Sequence, residues 1–297
     1  MTKANSKDLP SASATPPQNG FSLISNDKLF QIYGTMLKCR MLQACFRTLA
    51  LQNLSIRQNE KENRVALAAG IVLDMLPGDT LAPSPGDFIP CFVRGLPLTH
   101  IFSAHSSGDT AIHARYAPFN LIPPSWSLSV QLDRALLAAK ANKSSRNKKV
   151  AVAFCGNSSE SWDSLHEAMR RAGRLNLPIL LVCQSSPQAE DICQHAQACN
   201  FPGVTVDGDD AVAIYRVATE AMAHARRGSG PTLIECRPWP LSGQESGDRQ
   251  FSENPILKME KYLAGKGLHD SKFKSKVTAS FRREIKAAMT PARSRPS

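Results

Sequence analysis

Residues 150–184, VAVAFCGNSSESWDSLHEAMRRAGRLNLPILLVCQ, decide the fold. The stretch opens on a short apolar run, VAVAFCG (150–156), and closes on a second, PILLVCQ (178–184). A helical pattern at about 160–175 separates them. A third run, PTLIECR (231–237), follows two more helical patterns at 189–199 and 210–227. Continuous apolar strands alternating with helices predict an α/β fold, a parallel sheet flanked by helices on both faces.

Working outward, residues 127–142 predict a helix, and a short one is expected over 98–105. Segment 79–97 carries Pro83, Pro85, Pro90 and Pro97 and reads as loop. Upstream, Leu29, Phe30, Ile32, Tyr33, Met36, Leu37 and Met41 recur every three or four residues and predict a helix over 27–53, capped by Ser25 or Asn26. Residues 63–76 predict another, stopped by Pro77-Gly78-Asp79. Helical additions therefore precede the sheet, and patterns at 254–266 and 271–289 place helices after it. We expect a disordered leader over 1–24, one folded domain over 25–290 and a flexible basic tail over 291–297.

The chain has 297 residues, 36 basic against 25 acidic, a formal charge of +11. Residues 271–297 hold eight basic side chains against Glu284 alone, more than half of that excess. The charge thus says little about a groove in the body of the protein. Lys140, Lys143, Arg146, Lys148 and Lys149 form a basic stretch without interleaved aromatics, which reads as a solvated loop and not a nucleic-acid surface. No apolar run is long enough to span a membrane, and the polar, proline-rich start lacks the apolar core of a secretory signal. None of the eight cysteines forms a CxxC pair, so a zinc knuckle is not expected. Free, buried thiols in a cytoplasmic protein are.

Ligands of an open parallel sheet sit at the carboxyl ends of its strands. Here those ends read Gly156-Asn157-Ser158 and Gln184-Ser185-Ser186. With these residues in view, the chain resembles the alpha subunit of the thiamine-diphosphate-dependent 2-oxo acid dehydrogenase first component, of the pyruvate and branched-chain type. The likeness runs over about 27–290. LFQIYGTMLKCRML, MLPGDTLAPS with FVRGLPL, the strand–helix–strand stretch above, FPGVTVDGDDAVAIYRVATEAMAHARRGSGPTLIECR and NPILKMEKYLAGKGL follow one another in the family's order. The resemblance implies the thiamine-diphosphate-binding fold, thiamine diphosphate and magnesium as cofactors, and decarboxylation of a 2-oxo acid with transfer to a lipoyl carrier. It also implies a beta-type subunit as partner, which supplies the catalytic glutamate; self-association is the alternative.

The motifs that would carry this chemistry are altered. The family's Gly-Asp-Gly is Gly156-Asn157-Ser158, so an amide replaces the metal-binding carboxylate. Its Asn-Asn is Ser185-Ser186. Asn157 and Ser185 are the metal candidates that remain, and Gly156, Asn157, Ser158, Glu167, Ser185 and Ser186 the degenerate cofactor-binding set. The arginine directed at the diphosphate is lost at Pro85-Gly86, and the assisting histidine is Gln244, which does not titrate. Ile122-Pro123-Pro124 stiffens a turn beside the cofactor. Family segments are missing between Ser186 and Ala189 and between Gln250 and Asn254. The resulting expectation is an alpha-type oxidoreductase subunit that is catalytically degenerate. The alternative is a non-catalytic paralogue with an assembly or regulatory role. His166 reads as structural, His105 and His113 as poor matches to the family's histidines, and Asp248 as a turn residue. Asp207-Gly208-Asp209-Asp210 lacks the downstream glutamate of a calcium loop and reads as a strand end and helix cap.

Overall fold

The three apolar runs form three neighbouring parallel strands at the centre of a five-stranded sheet. In the computed structural model these are β2 (Ala151–Gly156), β3 (Ile179–Gln184) and β5 (Thr232–Arg237). Two shorter strands, β1 (Thr80–Ala82) and β4 (Gly203–Asp207), form the edges, giving the order β1-β2-β3-β5-β4. The structure describes residues 24–52, 64–104, 112–125, 127–156, 162–185, 191–237 and 254–289. Residues 1–23 of the expected leader and all of the expected tail lie outside these; Ile24, which the leader was expected to include, is instead buried in the core.

The strands alternate between two cores. Val152, Phe154, Leu180, Val182 and Ile234 face one core, which α1 (Asn26–Gln52), α2 (Arg64–Val72) and α9 (Ala211–Arg226) line. Ala151, Ala153, Cys155, Leu181, Cys183 and Leu233 face the other, lined by α6 (Leu128–Ser144), α7 (Trp162–Arg174) and α8 (Ile192–Gln197). Burial on both faces explains the unbroken apolar runs. The connections β2–α7–β3 and β3–α8–β4 advance in one direction across the sheet. The return from β4 to β5 reverses, so right-handedness puts α9 on the opposite face.

Segment 79–97 is a correction to the loop reading. It contains β1 and α3 (Ile89–Val93), the latter admitting Pro90 because the first helical turn needs no amide donor there. The short helix expected next is α4 (Leu98–Ala104), and α5 (Ile112–Tyr116) follows. Ser25 caps α1, its Oγ accepting the Lys28 amide at 3.2 Å. Two closing helices, α10 (Pro255–Gly265) and α11 (Ser271–Met289), pack outside α1 and α2. No helix among the described residues is long and apolar enough to cross a membrane.

Asp79 ties the sheet to α9. Its buried carboxylate accepts the Leu76 amide at 2.7 Å, the Val150 amide at 3.0 Å and both terminal nitrogens of Arg226. This fixes the start of β1 beside β2, at the opposite end of the sheet from the strands' carboxyl ends.

Candidate functional site

At those carboxyl ends the register sets three polar side chains in a row on one face: Cys155 opposite Cys183, and Cys183 opposite Glu235. Cys155 and Cys183 approach to 3.0 Å, Sγ to Sγ, as free thiols. That hydrogen bond, together with burial, pushes the Cys183 thiol well above its ordinary pKa, so its sulfur stays protonated and inert.

Glu235 is the centre of the row. It is 0% exposed, in β5 between the apolar Leu233-Ile234 and Cys236. An isolated buried carboxylate is very costly, and this one is paired. Its Oε1 accepts the Ser185 hydroxyl at 2.6 Å and Arg237 Nη2 at 2.6 Å. Its Oε2 accepts the Cys193 amide at 3.4 Å. Ser185 is 3% exposed, and its amide extends the sheet ladder to the Cys236 carbonyl at 3.0 Å. The metal candidate Ser185 therefore has its hydroxyl proton committed to a glutamate 50 residues downstream.

Cys193 and Asp191 close the other side. Asp191 caps α8, accepting the Gln194 amide at 3.2 Å. Burial pushes the Cys193 thiol up to about 11, while the Thr205 hydroxyl at 3.4 Å opposes the shift. One ligand atom each from Asp191, Cys193 and Glu235 converge within 4.8 Å of one another.

The remaining sequence candidates are spread. Gly156 ends β2 opposite Gln184. Glu167 lies exposed on the outer face of α7, 3.3 Å from Arg170, and shares a cavity of about 430 Å³ with Arg170, Arg171, Arg174, Ala198, Cys199 and Asn200. No other described cofactor candidate lines that cavity. His166 packs near the Trp162 ring, in keeping with a structural role. Asn157, Ser158, Ser186, Gln244, His105 and Asp248 lie outside the described residues, as does the side chain of His113. Asp207 accepts Lys258 Nζ and the Asp209 amide, and Asp210 caps α9 through the Val212 and Ala213 amides. This is the strand end and helix cap expected.

Pro85-Gly86 occupies the centre of a turn closed by the Asp87 amide on the Ser84 carbonyl at 3.0 Å. Gly86 has φ +73°, the left-handed position of a type II turn, which disfavours any arginine there. Ile122 donates to the Leu81 carbonyl at 2.8 Å beside β1, and the two prolines that follow cannot extend that ladder.

Glu235 escaped the sequence reading. The signal was present: a lone carboxylate inside an apolar strand requires a partner, and Arg237 stands two residues on, on the same face.

Comparison with known proteins places these features in a family. The Dehydrogenase E1 component family matches residues 33–297. The alpha subunit of 3-methyl-2-oxobutanoate dehydrogenase from Mycobacterium tuberculosis is 28% identical over an alignment of 279 residues, covering 86% of this chain and 76% of that subunit. The pyruvate dehydrogenase E1 component subunit alpha of Staphylococcus aureus is 29% identical over 238 residues, covering 72% and 64%. The alpha subunit of acetoin:2,6-dichlorophenolindophenol oxidoreductase from Bacillus subtilis is 36% identical over 124 residues, and the match spans only 38% of this chain and 37% of that subunit.

Proposed function

The chain belongs to the Dehydrogenase E1 component family, and from that premise we propose that it is an alpha-type subunit of a 2-oxo acid dehydrogenase whose cofactor site has been rebuilt. It keeps the scaffold for assembly with a beta-type subunit, or with a second copy of itself. The observation that carries this reading is the closed hydrogen bond from Ser185 to Glu235.

Magnesium holding a diphosphate needs hard oxygen donors, including carboxylate. The described residues do not fit that requirement. Ser185 is buried and bonded to Glu235, and the oxygen it bonds is shared with Arg237. In sequence the neighbouring strand end offers the amide of Asn157, and the turn at Gly86 has no diphosphate-binding arginine. What these residues do is hold the strand ends together without a cation. The eight free thiols, with Cys155 and Cys183 unbonded at 3.0 Å, support a reducing, cytoplasmic setting.

Titration calorimetry with thiamine diphosphate and magnesium, alone and with a candidate beta-type subunit, tests the reading. We expect no saturable binding, alongside a stable heteromer or homo-oligomer by native mass spectrometry. Micromolar or tighter magnesium-dependent binding overturns it. That outcome restores the active alternative, a subunit that helps decarboxylate a 2-oxo acid and passes the acyl group to a lipoyl carrier.

A further inference from the structure

We infer that the groove between α7 and the turn after α8 is a binding site for the phosphate group of a small organic phosphate. The inference does not rest on the proposed function. The groove lies on the outer side of α7 and shares Glu167 alone with the described cofactor candidates.

Backbone packing builds the groove. Position 173 is glycine, and a Cβ there would lie 2.1 Å from the Cys199 carbonyl oxygen. The end of α7 and the turn at 198–200 therefore meet main chain to main chain, which fixes one wall against the other. Beside this contact a cavity of about 430 Å³ stays open, inside the range of about 300–1,000 Å³ typical of small-molecule sites.

The side chains that line it are mostly cationic. Arg170, Arg171 and Arg174 stand against one carboxylate, Glu167. Glu167 pairs with Arg170 at 3.3 Å, and Asp133 of α6 pairs with Arg171 at 2.5 Å. Arg174 makes no hydrogen bond or ion pair with any described residue, so one full positive charge is left over. Both pairs are open to water, with side chains 40–62% exposed, and such pairs are weak enough to open for a stronger partner. The helix dipole accounts for basic residues in the last turn of α7, Arg171 and Arg174. It accounts neither for Arg170 nor for the concavity that all three share.

Spacing points to phosphate. Arg170 and Arg174 stand four residues apart on one ridge of α7, with Cβ atoms about 5–6 Å from each other, so both guanidiniums can converge on one group. Their planar forks match phosphate oxygens in pairs, which a point-charge cation does not. The field of Arg170 already reaches the groove wall: burial raises the Cys199 thiol, and Arg170 opposes that rise. A phosphate fills only part of the volume. Glu167 accepts hydrogen bonds, and the Asn200 amide both donates and accepts, so the rest of the groove suits the hydroxyl groups of a polar organic body.

The test titrates the full chain with inorganic phosphate and with a hexose phosphate, without magnesium, in about 0.15 M salt so that diffuse surface attraction is screened. Calorimetry should show one saturable site, filled more tightly by the hexose phosphate. Arg174→Gln should weaken both ligands by about 10- to 100-fold, the worth of one hydrogen bond between charged groups, at an unchanged melting temperature. Affinity should rise between about pH 5 and pH 7, as phosphate loses its second proton near a pKa of about 6 while the guanidiniums keep their charge. Arg282→Gln, which removes an exposed cation of α11, should change nothing. The inference is overturned by no saturable binding up to about 10 mM. It is overturned equally by an affinity that survives Arg174→Gln, by a flat pH profile, or by an equal loss in Arg282→Gln, which would mark a response to net charge alone. Binding of inorganic phosphate without the hexose phosphate marks an adventitious ion only and overturns it too. Thiamine diphosphate held in this groove would bind without magnesium and be lost in Arg174→Gln, which separates it from the magnesium-dependent binding that overturns the proposed function.

Discussion

Ser185→Ala is the substitution that most directly examines the strand-end reading. The hydroxyl lies 2.6 Å from Oε1 of a fully buried carboxylate, and the residue is itself 3% exposed. Hydrogen bonds to charged groups contribute about 1.5–3 kcal/mol, and removing a donor from a buried ion leaves part of its desolvation unpaid. Arg237 remains on the same oxygen at 2.6 Å, which argues for the lower half of that range, about 1.5–2 kcal/mol. The void left by one oxygen is too small to add a substantial cavity cost. Urea denaturation should therefore show a lower midpoint at an unchanged slope, with the folded-to-unfolded ratio reduced by roughly 10- to 30-fold. The same substitution in a Glu235→Gln background should cost about 1 kcal/mol less, because the charged acceptor is gone. A loss below about 0.5 kcal/mol, the level of an ordinary surface change, with no coupling to Glu235, would refute the reasoning. The hydroxyl would then be free, and Ser185 would return as a metal ligand.

Asp79→Asn should destabilise by about 3–5 kcal/mol, since it strands Arg226 and weakens a buried acceptor of two amides; calorimetry should show a melting temperature lower by roughly 10 °C. Gly86→Arg introduces the side chain that the family resemblance places there but forces an L-residue to φ +73°. We expect a cost of about 1–2 kcal/mol in a denaturant melt and no gain in thiamine diphosphate affinity by calorimetry. Burial alone would raise the Glu260 carboxyl, yet Lys274 at 2.9 Å and Tyr33 at 2.6 Å hold it below its ordinary pKa. A folded-state pKa below the unfolded one contributes stability that is present above the unfolded value and lost as pH falls through the folded value. Melting temperatures measured between neutral pH and about pH 3 should therefore fall less steeply in Glu260→Gln than in the wild type.

The central sheet was legible because β2, β3 and β5 are buried on both faces and so read as unbroken apolar runs. The edges were not. β1 has three residues between prolines, too few to show any period. β4 leaves Val204 and Thr205 exposed, so its face pattern has no continuous run to detect. Asp210 was expected as a helix cap and found, but the cap at Asp191 was missed, and α8 starts at 192 where periodicity alone suggested 189. The position of Ser185 at a strand end was readable, but its role was not. A resemblance assigns it to a cation, and only the pairing of β3 with β5 brings Glu235 beside it.

Charge argues against a divalent ion at Ser185. The nearest charges are Glu235 and Arg237, a pair whose net charge is zero. A divalent ion about 6 Å from the guanidinium meets a repulsion of about 5 kcal/mol at an effective dielectric constant of 20, and Glu235 offsets this without leaving a surplus. On the family resemblance, the carboxylate that would supply the surplus stands at position 157, where this chain has the neutral amide of Asn157.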